Sequence, residues 1–197
     1  MPDKEKGANL TKVKILAGME RLSTVFRAAL WGEAKQHQLS PLQTQILLFV
    51  AQHTAVLNNV SHLAKEFAVT KATVSDAVRV LLEKQLLKKE ASDDARGFSL
   101  ALTATGGKLT KKLSALGGFL EDALVGASPQ EIEKIWEGLT ILIGRLQKTG
   151  IIPLRMCMTC RHFGENHPGG KPHYCNLMKA PLALGDLRID CQEHLAA

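Results

Sequence analysis

The residues best suited to chemistry are four cysteines, Cys157, Cys160, Cys175 and Cys191, all within the last 41 of 197 positions. A Cys-x2-Cys turn points two thiolates at one ion, and two later thiolates complete a tetrahedral set. Here 14 residues separate Cys160 from Cys175, and 15 separate Cys175 from Cys191. Structural zinc is the first reading of this set. The later pair is not a second Cys-x2-Cys, so the spacing departs from a zinc ribbon, and a [4Fe–4S] cluster, which also takes four thiolates, is the alternative. Phe163, Tyr174, Leu177 and Leu187 are available to shield such a cluster. A thiol–disulfide switch is the third reading. His162, His167, His173 and His194 lie among the cysteines but are read as exposed polar side chains, because four cysteines already fill a coordination shell.

A closed shell leaves no open position for a substrate, which argues against an enzyme. The chain has no His-Glu-x-x-His and no Gly-x-Ser-x-Gly. The Gly-rich stretch from Gly164 to Lys171 has Gly170 where a phosphate loop requires lysine, and Pro172 follows.

A second constellation lies near the middle of the chain. Lys71, Thr73, Ser75, Asp76 and Arg79 share the outer face of a helix expected over 71–85, while Val74, Val78, Leu81 and Leu82 face inward. Short polar side chains and an arginine at a helix's leading end are the groups that read base edges and phosphates in a major groove. Asp94 and Arg96 sit in the turn-rich segment 92–97. There Arg96 suits a narrow minor groove, and Asp94 is placed to orient it. Net charge agrees with an anionic partner: the formal value is +6, residues 1–40 carry seven Lys/Arg against four Asp/Glu, and 61–112 carry ten against six.

These residues need elements to hold them. A long helix over 9–37 carries Ile15, Met19, Leu22, Phe26 and Leu30 on one stripe. Ser40-Pro41-Leu42-Gln43 is a capping box that opens an uncharged, nearly all-apolar helix over 41–53, expected to be the buried centre. A short helix over 60–67, a turn, and the helix over 71–85 make a helix-turn-helix. Residues 86–91 and 98–102 read as a strand pair, the second alternating, and so as a wing. One helix is expected over 104–125, with Leu109, Leu113, Leu116, Leu120 and Leu124 on a stripe. Another, over 129–148, opens at the capping box Ser128-Pro129-Gln130-Glu131 and carries Ile132, Ile135, Leu139, Leu142 and Leu146. Gly150 and Pro153 mark a compositional break.

This order of elements resembles the MarR (multiple antibiotic resistance regulator) family over roughly residues 10–148. The match is best along Asp94-Ala95-Arg96-Gly97-Phe98-Ser99-Leu100-Ala101-Leu102-Thr103-Ala104-Thr105-Gly106, with Leu63-Ala64 and Thr73-Val74-Ser75 fitting the helix-turn-helix. The resemblance implies a non-enzymatic regulator that dimerises through its terminal helices and binds a pseudo-palindromic double-stranded operator. It implies nothing about the cysteines, which that family does not generally carry. Cys157-Met158-Thr159-Cys160-Arg161-His162-Phe163, with two isolated later cysteines, looks somewhat like the high-potential iron–sulfur proteins.

The expectation is a mainly α protein: a winged helix-turn-helix with long terminal dimerisation helices over 9–148, plus a small cysteine-rich metal-binding module over 151–197. The function expected is a dimeric transcriptional repressor whose four-cysteine site is structural or senses metal or redox state, with any small-molecule effector unidentified. An iron–sulfur redox protein and a protein–protein adaptor on the same scaffold are the alternatives. The start MPDKEKGANL has no signal-peptide core, and no run reaches the ~18 apolar residues of a span, so a cytoplasmic protein without membrane partners is expected.

Overall fold

A computed structural model of the chain describes residues 2–91, 98–114, 118–146, 149–151, 153, 155–166 and 172–197. Seven helices and five strands lie among them: α1 Pro2–Gln36, α2 Pro41–Gln52, α3 Val60–Glu66, α4 Lys71–Glu83, β1 Leu87–Ala91, β2 Phe98–Leu102, α5 Ala104–Ser114, α6 Gly118–Leu124, α7 Pro129–Leu146, β3 Phe163–Glu165, β4 His173–Cys175 and β5 Ala180–Leu182.

Helix α2 opens as its sequence dictates. The Ser40 hydroxyl accepts from the Gln43 amide at 3.2 Å, and Gln43 Oε1 accepts from the Ser40 amide at 2.8 Å, satisfying two donors that the first turn leaves orphaned. Thr44, Ile46, Leu47, Phe49 and Val50 of α2 are buried. Around them gather Leu63 of α3, Val74, Val78 and Leu81 of α4, Leu100 of β2 and Leu113 of α5. This aliphatic cluster is the N-terminal core.

The wing is an antiparallel pair in which Leu87 lies opposite Leu102 and Ala91 opposite Phe98. The clean alternation expected of 98–102 is absent, since consecutive Ser99 and Leu100 are both buried. Leu100 is drawn in by its amide, which donates to the Asn58 carbonyl at 2.7 Å. At the root of the wing, Thr103 Oγ1 donates to the Gln85 carbonyl at 2.6 Å and accepts from the Gly106 amide at 3.0 Å, capping α5. The single helix expected over 104–125 is described as two, α5 and α6, with 115–117 outside the described residues. The second predicted capping box forms: Glu131 accepts from the Ser128 amide at 2.8 Å and donates its own amide to the Ser128 hydroxyl at 3.3 Å.

The terminal helices are mostly uncovered. On α1, Leu16 is 65% and Trp31 63% exposed, with Leu10, Val13, Ile15, Leu22, Val25 and Phe26 all exposed. On α7, Ile132, Ile135, Leu139 and Leu146 are exposed as well. The chain presents 13388 Å² to solvent, against about 9,100 Å² expected of a compact monomer of this mass. No helix among the described residues is long and apolar enough to cross a membrane.

The C-terminal residues form a small lobe, a three-stranded antiparallel sheet in the order β3-β4-β5, flanked by 3-10 turns at Cys157–Thr159 and Leu184–Asp186. Among its described residues, the buried apolar side chains are Met156, Leu182 and Leu187.

A Cβ at Gly106 would lie 2.0 Å from the Leu86 carbonyl oxygen, a backbone atom that has no rotamer to yield. Gly106→Ala is expected to destabilise the N-terminal lobe by on the order of 1–3 kcal/mol or more through overpacking, read as a lowered denaturant midpoint.

Candidate nucleic-acid interface and cysteine cavity

Two sets of residues stand out from the fold, one on α4 and one in the C-terminal lobe. Thr70 caps α4: its hydroxyl oxygen accepts from the Thr73 amide at 3.1 Å and lies 2.8 Å from the Thr73 hydroxyl. Lys71, Thr73, Ser75, Asp76 and Arg79 all lie on the exposed side of α4, while Val74, Ala77, Val78 and Leu81 face the core. The Arg79 guanidinium is held by Glu83 at 2.9 Å and reaches Asp76 at 4.0 Å. Exposed pairs of this kind contribute little, about 0–1 kcal/mol, so Arg79 can exchange them for a phosphate or a base edge at small cost. On β1, Lys88 pairs with Glu90 at 2.7 Å, and the Lys89 ammonium lies over the Phe98 ring at 4.2 Å. Asp94 and Arg96 fall outside the described residues.

In the second set, Cys157, Cys160, Cys175 and Cys191 line a single cavity of about 40 Å³, walled by Phe163, Leu177, Met178 and Leu182. Each cysteine is fixed by the backbone. Cys157 donates its amide to the Arg188 carbonyl, Cys160 to the Cys157 carbonyl and Cys191 to the Arg155 carbonyl, at 3.0, 3.0 and 2.8 Å, while Cys175 sits at the end of β4. Two sulfurs receive backbone hydrogen bonds: the Arg188 amide donates to Cys157 Sγ at 3.2 Å and the Met178 amide to Cys175 Sγ at 3.5 Å. Burial pushes the Cys157 thiol up in pKa, against the Arg188 amide, and the neighbouring Cys191 and Cys175 add to the rise. Among the described residues no three His, Cys, Asp or Glu side chains are placed to hold one metal ion. The four cysteines therefore share a cavity without converging on a point.

Of the histidines among them, His162 lines the cavity, the Nε2 of His194 lies 3.1 Å from the Thr159 hydroxyl, and His173 packs against Phe163. His167 is outside the described residues.

The residues that sequence reasoning missed join the C-terminal lobe to α2, α3 and α7. Arg155, 8% exposed, precedes Cys157 by two positions; its Nε donates to Asp190 at 2.7 Å and its Nη1 to Glu66 of α3 at 2.9 Å. Asp190 also meets His53 Nε2 at 2.8 Å, just past the end of α2, and Gln192 donates to the Gln52 carbonyl. Trp136 of α7 donates its indole N–H to the Leu184 carbonyl at 2.8 Å. Burial opposes the Arg155 charge, but Asp190 and Glu66 outweigh it and raise its pKa; burial likewise opposes the Asp190 charge, and Arg155 and His53 hold that carboxyl below its usual range. Only the separation of 89 positions between Glu66 and Arg155 hides this pairing from the sequence.

Known proteins share this fold. A MarR family model matches residues 37–97, from the end of α1 to the wing. The structure of Staphylococcus aureus MarR in complex with salicylate and kanamycin is 19% identical, with 71% of this chain and 94% of that one covered and a TM-score of 0.61. A MarR protein from Peptoclostridium difficile is 18% identical over 69% and 89%, TM-score 0.58. The S. aureus MepR–DNA complex is 24% identical over 65% and 94%, TM-score 0.53. No curated protein matches the sequence. The chain has the winged-helix fold of MarR family proteins, with the cysteine lobe added to it.

His62 of α3 lies 3.6 Å from Glu66 and 3.3 Å from Arg155. Burial holds its pKa below the ordinary 6.5, reinforced by Arg155, opposed by Glu66, with His53 and Lys65 adding to the fall. The folded state therefore binds fewer protons at this site than the unfolded chain, and the stability it contributes is complete above that value and lost as pH falls through the folded-state pKa. Denaturant midpoints measured between about pH 5 and 8 are expected to drop less steeply on the acid side for His62→Gln than for the wild type.

Proposed function

We propose that the protein is a dimeric, sequence-specific double-stranded DNA-binding regulator of transcription, acting as a repressor by occluding its site, and that its C-terminal cavity holds a metal cofactor that governs binding. The observation that carries the DNA reading is the polar, basic face of α4, free of core contacts and flanked by Lys88 and Lys89 of the wing. The positive end of the α4 dipole and its leading-turn amides favour a phosphate there. Among similar proteins, MepR is described in complex with DNA.

Dimerisation supports this reading. The apolar stripes on α1 and α7 are too exposed for a solitary chain, and a second copy related by a two-fold axis would cover both. Such a dimer presents two copies of α4 to half-sites about one helical turn apart. Control from the cysteine cavity is supported by Arg155, whose backbone carbonyl holds Cys191 while its guanidinium holds Glu66 on the first helix of the helix-turn-helix.

In binding assays against a selected palindromic duplex, Arg79→Ala is expected to cost about 1–3 kcal/mol of specific affinity and to narrow the gap from non-specific DNA, whereas Lys71→Ala lowers both together and flattens the salt dependence. Wild-type specificity in the Thr73→Ala, Arg79→Ala double variant would place the DNA surface elsewhere.

Charge on α1 tests assembly. Phe26→Asp with Trp31→Asp is expected to give a monomer by light scattering, with unchanged helix content and binding reduced to a single half-site. A stable dimer from that variant would move the interface off α1.

A further inference from the structure

We propose that the four-cysteine cavity is built for a [4Fe–4S] cluster rather than a single zinc ion, an inference that rests on reading the cavity as a cofactor site. Size is the first argument. Four thiolates around one zinc at ~2.3 Å put their sulfurs roughly 3.8 Å apart and leave no room between them. Cys157, Cys160, Cys175 and Cys191 instead line a cavity of about 40 Å³, open space that a single tetrahedral ion would not leave among its ligands. A cluster meets each thiolate with a different iron, so it needs sulfurs that stand apart around a volume.

Rigidity is the second argument. The backbone bonds at Cys157, Cys160 and Cys191, and the sheet at Cys175, belong to different segments of the lobe. Among the described residues no three of these side chains are placed to hold one metal ion, whereas a cluster takes four separated thiolates, one for each iron. The lining agrees as well. Phe163, Leu177, Met178 and Leu182 give the cavity an apolar wall, amides donate to two of the sulfurs, and Arg188 lines it as a cation beside a group that four thiolates would make anionic, with Glu193 the one carboxylate among the described lining residues. Hydrogen bonds to sulfur and restricted solvent are the levers that tune such clusters.

The test uses the full-length protein under anaerobic conditions, incubated with ferric iron, sulfide and a dithiol that reduces half of the iron, and in parallel with zinc alone. The expected result is about four irons and four sulfides per chain, with a broad visible absorption band, and loss of most of that iron in Cys175→Ser. Because that variant can lose the lobe's fold, the wild-type stoichiometry decides the matter by itself. A colourless protein that keeps one zinc and no sulfide overturns the proposal, as does two irons with two sulfides, or retention of neither metal. Duplex binding by α4 is measured separately on the same samples, so failure of the cluster and failure of the DNA reading give different results.

Discussion

Helix α2 has no charged side chain and is buried along much of its circumference, so the rest of the N-terminal lobe must be laid against it. With aromatic residues at 5% of the chain, the surfaces that meet it are mostly aliphatic, Phe67 against Phe49 apart, and side chains such as Ile46, Leu47, Leu63 and Leu81 lose all contact with water there. Burial on that scale, roughly 1.5–3 kcal/mol for each such side chain, is what a seven-residue helix like α3 needs, since so short a helix is marginal on its own. The position of α4, and with it the face that meets solvent, follows from the same packing. The far end of α2 then reaches the C-terminal lobe through Gln52 and His53.

Much of this arrangement is legible in the sequence because it is local. Ser40 with Gln43 and Ser128 with Glu131 announce helix starts through three-residue spacing, and both boxes form. The outward set on α4 follows from helical period alone. The Leu102-Thr103 and Gly106 pattern, first noted as a resemblance, has a physical cause: Thr103 caps α5, and Gly106 lets the Leu86 carbonyl pass where a side chain would stand. Period misleads at β2, where Ser99 is buried beside Leu100 because a backbone bond to Asn58, not alternation, sets the strand's depth.

The C-terminal lobe is the reverse case. Its cysteines are conspicuous, yet their spacing along the chain does not reveal how far apart the sulfurs stand, because that depends on the sheet and on backbone bonds between segments 30 or more positions apart. Arg155 is more deeply hidden. Nothing about an isolated arginine after Pro153 indicates that its partners are Glu66 and Asp190, or that taking it out of water requires both.

That distant pairing sets an order of events during synthesis. Glu66 leaves the ribosome 89 residues ahead of Arg155, and domains fold from the N-terminus as they emerge. The winged helix can thus be assembled, with Glu66 and His53 still facing water, well before the lobe that neutralises and covers them exists. The lobe then closes onto a surface already formed, so its docking comes late.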